Sequence, residues 1–260
     1  MSPAPLAFVH VPKTGGTSVK HLLRATFGLA HCDVQLARPD APLTAHELRR
    51  LRRVYPVLRT LAGHALIAPT RHLGDAVRCF TVLREPVARL ASAYLHALRG
   101  ARGAPPSAAE FAQVARDGQV WQLTGGGDVD AAKEALRRYV VVGLTERLDA
   151  SLDHLARLAD LPLATAAPRL NRAPDAARGA SALDPEALAR FAEVTPGDRE
   201  LYRWAIEELW PRQVERAAAA PAPDPRRPSA LRERLSRGYN KLVYRGLVAR
   251  PRRRAGRRAR

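Results

Sequence analysis

The sequence predicts an α/β protein whose central, mostly parallel sheet is flanked by helices. Short, β-rich apolar runs alternate along the chain with longer segments of helical periodicity. This alternation is typical of parallel strands that are joined by helices and covered on both faces. Hydrophobic residues make up 46% of the chain, which is enough for a sizeable core. Since aromatic residues are only 5%, that core must consist mainly of Leu, Ala and Val.

The elements follow one another in this alternation. The first strand begins close to the first residue. In the helix after it, apolar residues recur with helical spacing, and Gly28 offers a C-cap. Pro86 suits the first turn of the helix after the third strand, and Pro162 ends the helix after the fourth. The predicted strands are residues 6–11, 61–67, 79–83 and 139–144, and the predicted helices are residues 17–27, 44–61, 86–98, 149–161, 185–194 and 198–209.

Charge divides the chain into two predicted regions. The net charge is +18, but residues 217–260 contain 14 Lys and Arg and only 2 Asp and Glu. We therefore expect a domain at residues 1–216 and, at residues 217–260, an Ala/Pro-rich linker with an Arg-rich tail. The chain contains 39 Arg against 4 Lys, a bias that indicates a GC-rich genome and a bacterial source.

Cysteine content and hydropathy indicate the compartment. Cys32 and Cys79 do not form a disulfide scaffold, and the apolar run around Cys79 predicts a buried thiol. No basic segment followed by a long apolar stretch opens the chain, and no run of 18 apolar residues occurs in it. The expected location is therefore the cytoplasm.

The segment "FVHVPKTGGTSVKHL", residues 8–22, predicts an anion site. An apolar strand leads into a glycine-containing loop and then into a helix, whose N-terminus offers N–H groups and a positive dipole end. The alternative is a tight turn that ends in an ordinary helix cap. The predicted site comprises a lysine, two glycines that let the backbone approach an anion, and three hydroxyl residues: Lys13, Thr14, Gly15, Gly16, Thr17 and Ser18.

The stretch "PKTGGTS" resembles the 5′-phosphosulfate loop of the sulfotransferases. This family uses 3′-phosphoadenosine 5′-phosphosulfate (PAPS) as its sulfuryl donor and requires no metal. The loop differs from the nucleotide-triphosphate loop G-x-x-x-x-G-K-[ST], because its lysine precedes the glycines and no Gly-Lys pair occurs. The resemblance implies that residues 13–18 hold the phosphosulfate and that Lys13 stabilises the leaving phosphate oxygen.

A second motif strengthens the resemblance. In "VLREPVARLASAY", residues 82–94, Arg84 ends a strand and Ser92 follows eight residues later. This is similar to the R-D-P-x-x-R-x-x-S-x-Y pattern of carbohydrate sulfotransferases, with Glu85 in place of Asp, and it implies that Arg84 and Ser92 hold the 3′-phosphate. An arginine fork suits a phosphate dianion. Alternatively, Arg84 pairs with Glu85 or Glu146, and Ser92 is a surface residue.

Weaker similarity extends over residues 6–210. Residues 140–158, 169–174 and 198–209 resemble stretches of the uronyl 2-O-sulfotransferases and their bacterial relatives. The resemblance implies a P-loop NTPase-like three-layer fold and a hydroxyl acceptor on a carbohydrate or glycoconjugate. Residues 99–130 are expected to line the acceptor side, where Trp121 and Gln122 are candidates for sugar contacts.

His64, in "LAGHALI", is the candidate base. Histidine suits proton transfer near neutral pH, and the resembling 2-O-sulfotransferases have a Gly-His at the corresponding place, with that histidine as base. The alternatives are a structural role for His64, a catalytic role for His10 just before the loop, or a carboxylate base at Glu47 or Glu85.

The tail allows a separate prediction. Leu231, Leu235, Leu242 and Val243 recur at near-helical spacing among arginines, which is typical of binding to an anionic membrane surface. The terminal arginines suit nucleic acid by charge alone, but no base-reading module is present. A solvated tail is the alternative. Two further functions remain open for the whole chain: a nucleotide or small-molecule kinase, and a non-catalytic relative that binds anionic polymers.

Overall fold

The sheet has five strands, all paired in parallel, in the order β2-β3-β1-β4-β5. It is seen in a computed structural model that describes residues 4–35, 41–55, 57–100, 104–163 and 183–243. The strands are β1 Leu6–Val9, β2 His31–Asp33, β3 Thr60–Gly63, β4 Arg78–Leu83 and β5 Val141–Leu144.

Helices cover both faces of this sheet. The described residues include three short 3₁₀ turns at Gly28–Ala30, Gly74–Ala76 and Thr145–Arg147, and a π-helical turn at Ala205–Leu209. No helix in the described ranges combines the length and the hydropathy that a bilayer crossing needs. The helices are α1 Gly16–Phe27, α2 Ala45–Val54, α3 Pro69–His72, α4 Pro86–Gly100, α5 Ala108–Val114, α6 Gly118–Thr124, α7 Val129–Arg137, α8 Leu148–Leu158, α9 Pro185–Glu193, α10 Pro196–Trp204, α11 Trp210–Ala219 and α12 Ala230–Tyr239.

Two cores lie on opposite faces of the sheet. Successive side chains of a strand point to opposite faces, so Leu6 and Phe8 of β1 pack against α1 and α8, whereas Ala7 and Val9 pack in the other core with α2, α6 and α7. This arrangement is a three-layer α/β fold and confirms the predicted fold class. Cys79 is buried as a free thiol, as its apolar surroundings predicted, and burial raises its pKa to about 12.

Several predicted boundaries are wrong. The second predicted strand, residues 61–67, ends at Gly63, and the helix predicted at residues 44–61 ends at Val54. Strand β2 was not predicted, because it has only three residues and two of them, His31 and Asp33, are polar. The last predicted helix begins earlier, at Pro196, and continues through the π turn into α11. The helix predicted at residues 86–98 extends to Gly100.

The first part of the predicted tail packs against the rest of the chain. Helix α12 lies on α1, where Arg232 Nε donates a hydrogen bond to the Ala25 carbonyl over 2.8 Å. Just after α12, Asn240 bonds both the N–H and the carbonyl of Asp33, at 3.0 and 3.2 Å. The Asn-containing stretch at residues 169–174 and the terminal arginines beyond residue 243 lie outside the described residues.

Candidate active site

Three loops meet at the carboxyl edge of the sheet. Because β1 lies between β3 and β4, the segments that follow these strands emerge side by side. His64 follows β3, the Lys13 loop follows β1, and Arg84 follows β4. The connection that leaves β1 leads to β2 on one side of it, whereas the connection that leaves β3 leads to β4 on the other side of β1. Such switch points form the crevices where open α/β sheets bind ligands. The fold therefore gathers the predicted base and the two predicted phosphate motifs.

The loop after β1 has the backbone of an anion site. Lys13 and Gly15 both have positive φ, 70° and 81°, and α1 begins directly after them at Gly16. The first N–H groups of a helix have no partner within the helix and point toward the preceding loop. Gly15 is the N-cap and no side chain caps the helix. The alternative of an ordinary cap by Thr17 or Ser18 is therefore wrong.

The loop rests on a buried histidine. A Cβ added at Gly16 would overlap the imidazole ring of His10, so only glycine fits at this position. The Thr14 hydroxyl donates to the Val11 carbonyl over 2.9 Å and is buried. In this conformation the Thr14 side chain supports the loop itself.

Arg84 connects the two motifs. Its Nη1 donates to the carbonyl oxygen of Lys13 over 3.1 Å. Burial lowers the pKa of Arg84, whereas the charges of Glu146 and then Glu85 act in the opposite direction. Glu85 accepts hydrogen bonds from the first N–H groups of α4, at 2.6 and 3.1 Å, and so caps that helix. Glu146 accepts from the Glu85 N–H and from the Tyr202 hydroxyl, at 3.0 and 2.8 Å.

Helix α4 places further polar groups and a cation near the loop. Ser92, His96 and Arg99 are spaced four and three residues apart and therefore share one face. The pKa of Lys13 is lowered by burial and by the nearby charges of Arg99 and Arg84. The pKa of His96 is lowered mainly by Lys13. Like charges are thus concentrated at one place, where an anion would relieve their repulsion. Ser92 itself is half-buried.

The ring of His64 is held by the backbone of His10. Its Nδ1 lies 2.9 Å from the carbonyl oxygen of His10. A carbonyl can only accept, so Nδ1 carries the hydrogen and Nε2 has the lone pair that takes a proton. The His64 ring also stacks on the His10 ring, with centroids 4.1 Å apart. Burial lowers the pKa of His64, which keeps the ring neutral at physiological pH.

The three rival side chains have structural contacts, and those of Glu85 cap α4. His10 is 7% exposed, stacks between Phe8 and His64, and has a pKa held well below its ordinary value by burial. Glu47 forms a capping box with Thr44 at the start of α2. Their contacts place His10 beneath the loop and Glu47 at a helix end, whereas His64 lies at the carboxyl edge of the sheet with its Nδ1 held by the His10 carbonyl.

Two glutamines of α6 support the site. Gln119 Oε1 accepts from the Arg84 N–H at 3.0 Å, and its Nε2 donates to the Arg84 carbonyl at 2.9 Å. One turn later, Gln122 Nε2 donates to the carbonyls of Leu66 and His64, at 2.8 and 3.2 Å. Gln122 is 2% exposed, so its predicted contact with a sugar is wrong. In the sequence, the only signal of this supporting role is that the two glutamines lie one turn apart on an otherwise apolar helix.

Asp198 in turn holds α6. Its carboxylate is fully buried and accepts hydrogen bonds from the N–H groups of Gln119 and Val120, at 2.9 Å each. Arg89 Nη2 of α4 lies 3.5 Å from the same carboxylate. Asp198 therefore joins α10 to α6, which carries Gln119, and to α4, which carries Ser92. Within the described residues, no group of three or more His, Cys, Asp or Glu is arranged to hold a metal ion.

Comparison with known proteins gives the family of the chain. The family model described as "Sulfotransferase family" matches residues 3–207, most of the chain and all of the site residues above. A search of curated proteins found no match. Because the family match covers far more than half of the sequence, and because the fold is the three-layer α/β arrangement, the chain belongs to the sulfotransferase family, whose members transfer sulfuryl groups.

Proposed function

We propose that this enzyme transfers a sulfuryl group from PAPS to a hydroxyl of a carbohydrate or glycoconjugate. The observation that carries the proposal is the hydrogen bond from Arg84 Nη1 to the Lys13 carbonyl. It joins the motif expected at the 3′-phosphate to the loop expected at the 5′-phosphosulfate, and a single nucleotide carries both groups. A nucleotide with phosphates at the 3′ and 5′ positions is the ligand class that this pairing suits.

The loop and α4 bind the donor from two sides. The backbone of residues 13–18, with two positive φ angles and the start of α1, suits the terminal 5′ anion. The guanidinium of Arg84 and the hydroxyl of Ser92 hold the 3′-phosphate. Lys13 adds positive charge that is partly withdrawn from water, where it is worth more than on an open surface, and the exposed Arg99 adds a further charge nearby.

The transfer itself is an in-line displacement at sulfur. The acceptor oxygen forms a bond to sulfur while its proton passes to Nε2 of His64, and the bond between sulfur and the bridging phosphate oxygen breaks. The negative charge that develops on that phosphate is stabilised by Lys13 and by the N-terminus of α1. Positioning and charge stabilisation supply most of the rate enhancement in the related transfer of phosphoryl groups, and the same terms operate here.

The alternative activities fit these residues less well. A kinase would need the Gly-Lys-Ser/Thr sequence for a triphosphate, and the loop has its lysine before the glycines. A non-catalytic relative would not need a histidine held through Nδ1 beside the loop. The carbohydrate class of the acceptor rests on the resemblance to carbohydrate sulfotransferases.

Calorimetry tests the donor site. We expect 3′,5′-ADP, the desulfated product, to bind with a Kd of about micromolar, a free energy near −8 kcal/mol, and ATP to bind far more weakly. Arg84→Ala should abolish most of this affinity. Arg212→Ala is the matched control, because Arg212 lies on α11 in a surface ion pair with Glu208. Equal binding of ATP, or unchanged affinity in Arg84→Ala, would contradict the proposal.

A further inference from the structure

Helix α12 is attached to the protein by its polar side. Glu233, Ser236 and Asn240 are spaced by three and four residues and are at most 7% exposed. Glu233 lies 3.6 Å from His21 and 3.8 Å from Arg24, both on α1. Surface helices of globular proteins usually bury their apolar side and expose the polar one. In α12 this orientation is largely reversed, although Tyr239 and, in the turn after the helix, Val243 also pack against the core; Val243 therefore does not share the exposed row in which the sequence placed it.

The opposite side of α12 is apolar and exposed. Leu231 is 66% exposed, Leu235 is 49% exposed, and Leu242, in the turn that continues the helix, is 77% exposed. These positions are spaced by four and seven residues, so they form one stripe, which we call the leucine stripe. It is the longest helical row among the large exposed hydrophobic residues of the described chain. Solvent alone does not stabilise such a row.

Basic residues border the leucine stripe. Arg234 and Lys241 are exposed on the flank of α12 between its buried and apolar sides, and Arg237 is 60% exposed beside them. The sequence that follows, residues 244–260, adds eight arginines and no acidic residue. The only acidic residue from residue 225 onward is Glu233, which faces the body. The surface around the stripe is therefore positively charged.

From these observations we propose that α12 docks the protein on an anionic lipid bilayer. The leucine stripe enters the boundary between headgroups and acyl chains, and the flanking arginines and lysine contact the lipid phosphates. A nucleic acid would use the charge but not the leucines. A second copy of the same face would bring two positively charged surfaces together. An anionic bilayer is the partner that satisfies both the apolar and the charged component.

Docking also affects the orientation of the enzyme. Helix α12 packs along α1, and α1 begins at the predicted phosphosulfate loop. Because the polar contacts of α12 hold it on α1 in one orientation, the membrane would hold the whole body in one orientation as well. An acceptor attached to a lipid would then reach the site from a constant direction.

Vesicle sedimentation tests the proposal with the full chain. The probes are vesicles of about three parts phosphatidylglycerol to seven parts phosphatidylcholine, and vesicles of phosphatidylcholine alone. The double variant Leu231→Gln/Leu235→Gln removes two of the three leucines of the stripe without changing charge or helix propensity. The matched control is Val57→Gln/Val114→Gln, because Val57 and Val114 are 69% and 84% exposed and lie elsewhere. Near-ultraviolet circular dichroism and the Tm confirm that both variants are folded.

The expected result is selective binding to the anionic vesicles that weakens as salt is raised. The leucine variant should bind roughly tenfold more weakly than the wild type, whereas the valine variant should bind like the wild type. Equal partitioning of the two variants would overturn the proposal, and so would equal binding to the neutral vesicles. A dimer that the leucine substitutions dissociate, or binding to a single-stranded RNA without binding to vesicles, would also overturn it.

Discussion

The two hydrogen bonds between the Gln119 side chain and the Arg84 backbone, which we call the clamp, predict that a buried amide controls donor affinity. In Gln119→Met, a side chain of similar length loses both hydrogen bonds and leaves the Arg84 N–H and carbonyl without their partner. Each backbone group that loses its bond away from water costs about 1–3 kcal/mol. Since Arg84 is only half-buried, we expect a loss of about 2–4 kcal/mol in the free energy of unfolding.

Donor affinity should fall together with stability. When the backbone of Arg84 shifts, its guanidinium can no longer hold the 3′-phosphate in the best geometry, and a single hydrogen bond to a charged group is worth about 1.5–3 kcal/mol. The Kd for 3′,5′-ADP should therefore rise by about tenfold or more. Urea denaturation measures the stability, and calorimetry measures the affinity.

Gln213 offers a matched control. It clamps Val142 of β5 in the same way, with its Oε1 accepting from the N–H at 2.6 Å and its Nε2 donating to the carbonyl at 3.0 Å. Gln213→Met should cost a similar free energy of unfolding and leave the Kd for 3′,5′-ADP within about twofold. If both variants bind 3′,5′-ADP equally well, the clamp of Gln119 does not position Arg84 and the reasoning fails.

Three further predictions concern the base, the loop and the support of α6. His64→Gln should lower kcat by about 10²–10⁴-fold with little change in 3′,5′-ADP affinity. Because the base works when neutral and its pKa is lowered, the wild-type rate should rise with pH only below about 6.5 and be flat above it. A rise that is centred above this pH would exclude His64 as the base. Gly16→Ala should lower the free energy of unfolding by about 1–3 kcal/mol and weaken 3′,5′-ADP binding, because the added Cβ displaces His10. An unchanged Tm would show that the loop adapts to the added methyl group. Asp198→Asn leaves the buried Arg89 charge without its counter-charge, so the free energy of unfolding measured in urea should fall by about 3–5 kcal/mol. A fall of less than about 1 kcal/mol would show that the pair contributes little to stability.

The sequence by itself determined those features that local chemistry dictates. The loop at residues 13–18 is recognisable because a strand, glycines and a lysine must follow one another closely to form an anion site. Arg84 and Ser92 are recognisable by their spacing at the start of a helix. The alternation of apolar runs with helical periodicity likewise predicted the α/β class, because both periodicities are local.

Only the tertiary structure decided how these features meet. Strand order depends on pairing between segments far apart in the chain, so no local pattern shows that β1 lies between β3 and β4. The supporting role of Gln119 depends on a contact across 35 residues. The orientation of α12 is reversed from that of a usual surface helix, because its polar side chains find their hydrogen-bond partners on the body and in β2. An amphipathic pattern shows that a helix has two sides, but only the partners of each side decide which one is buried.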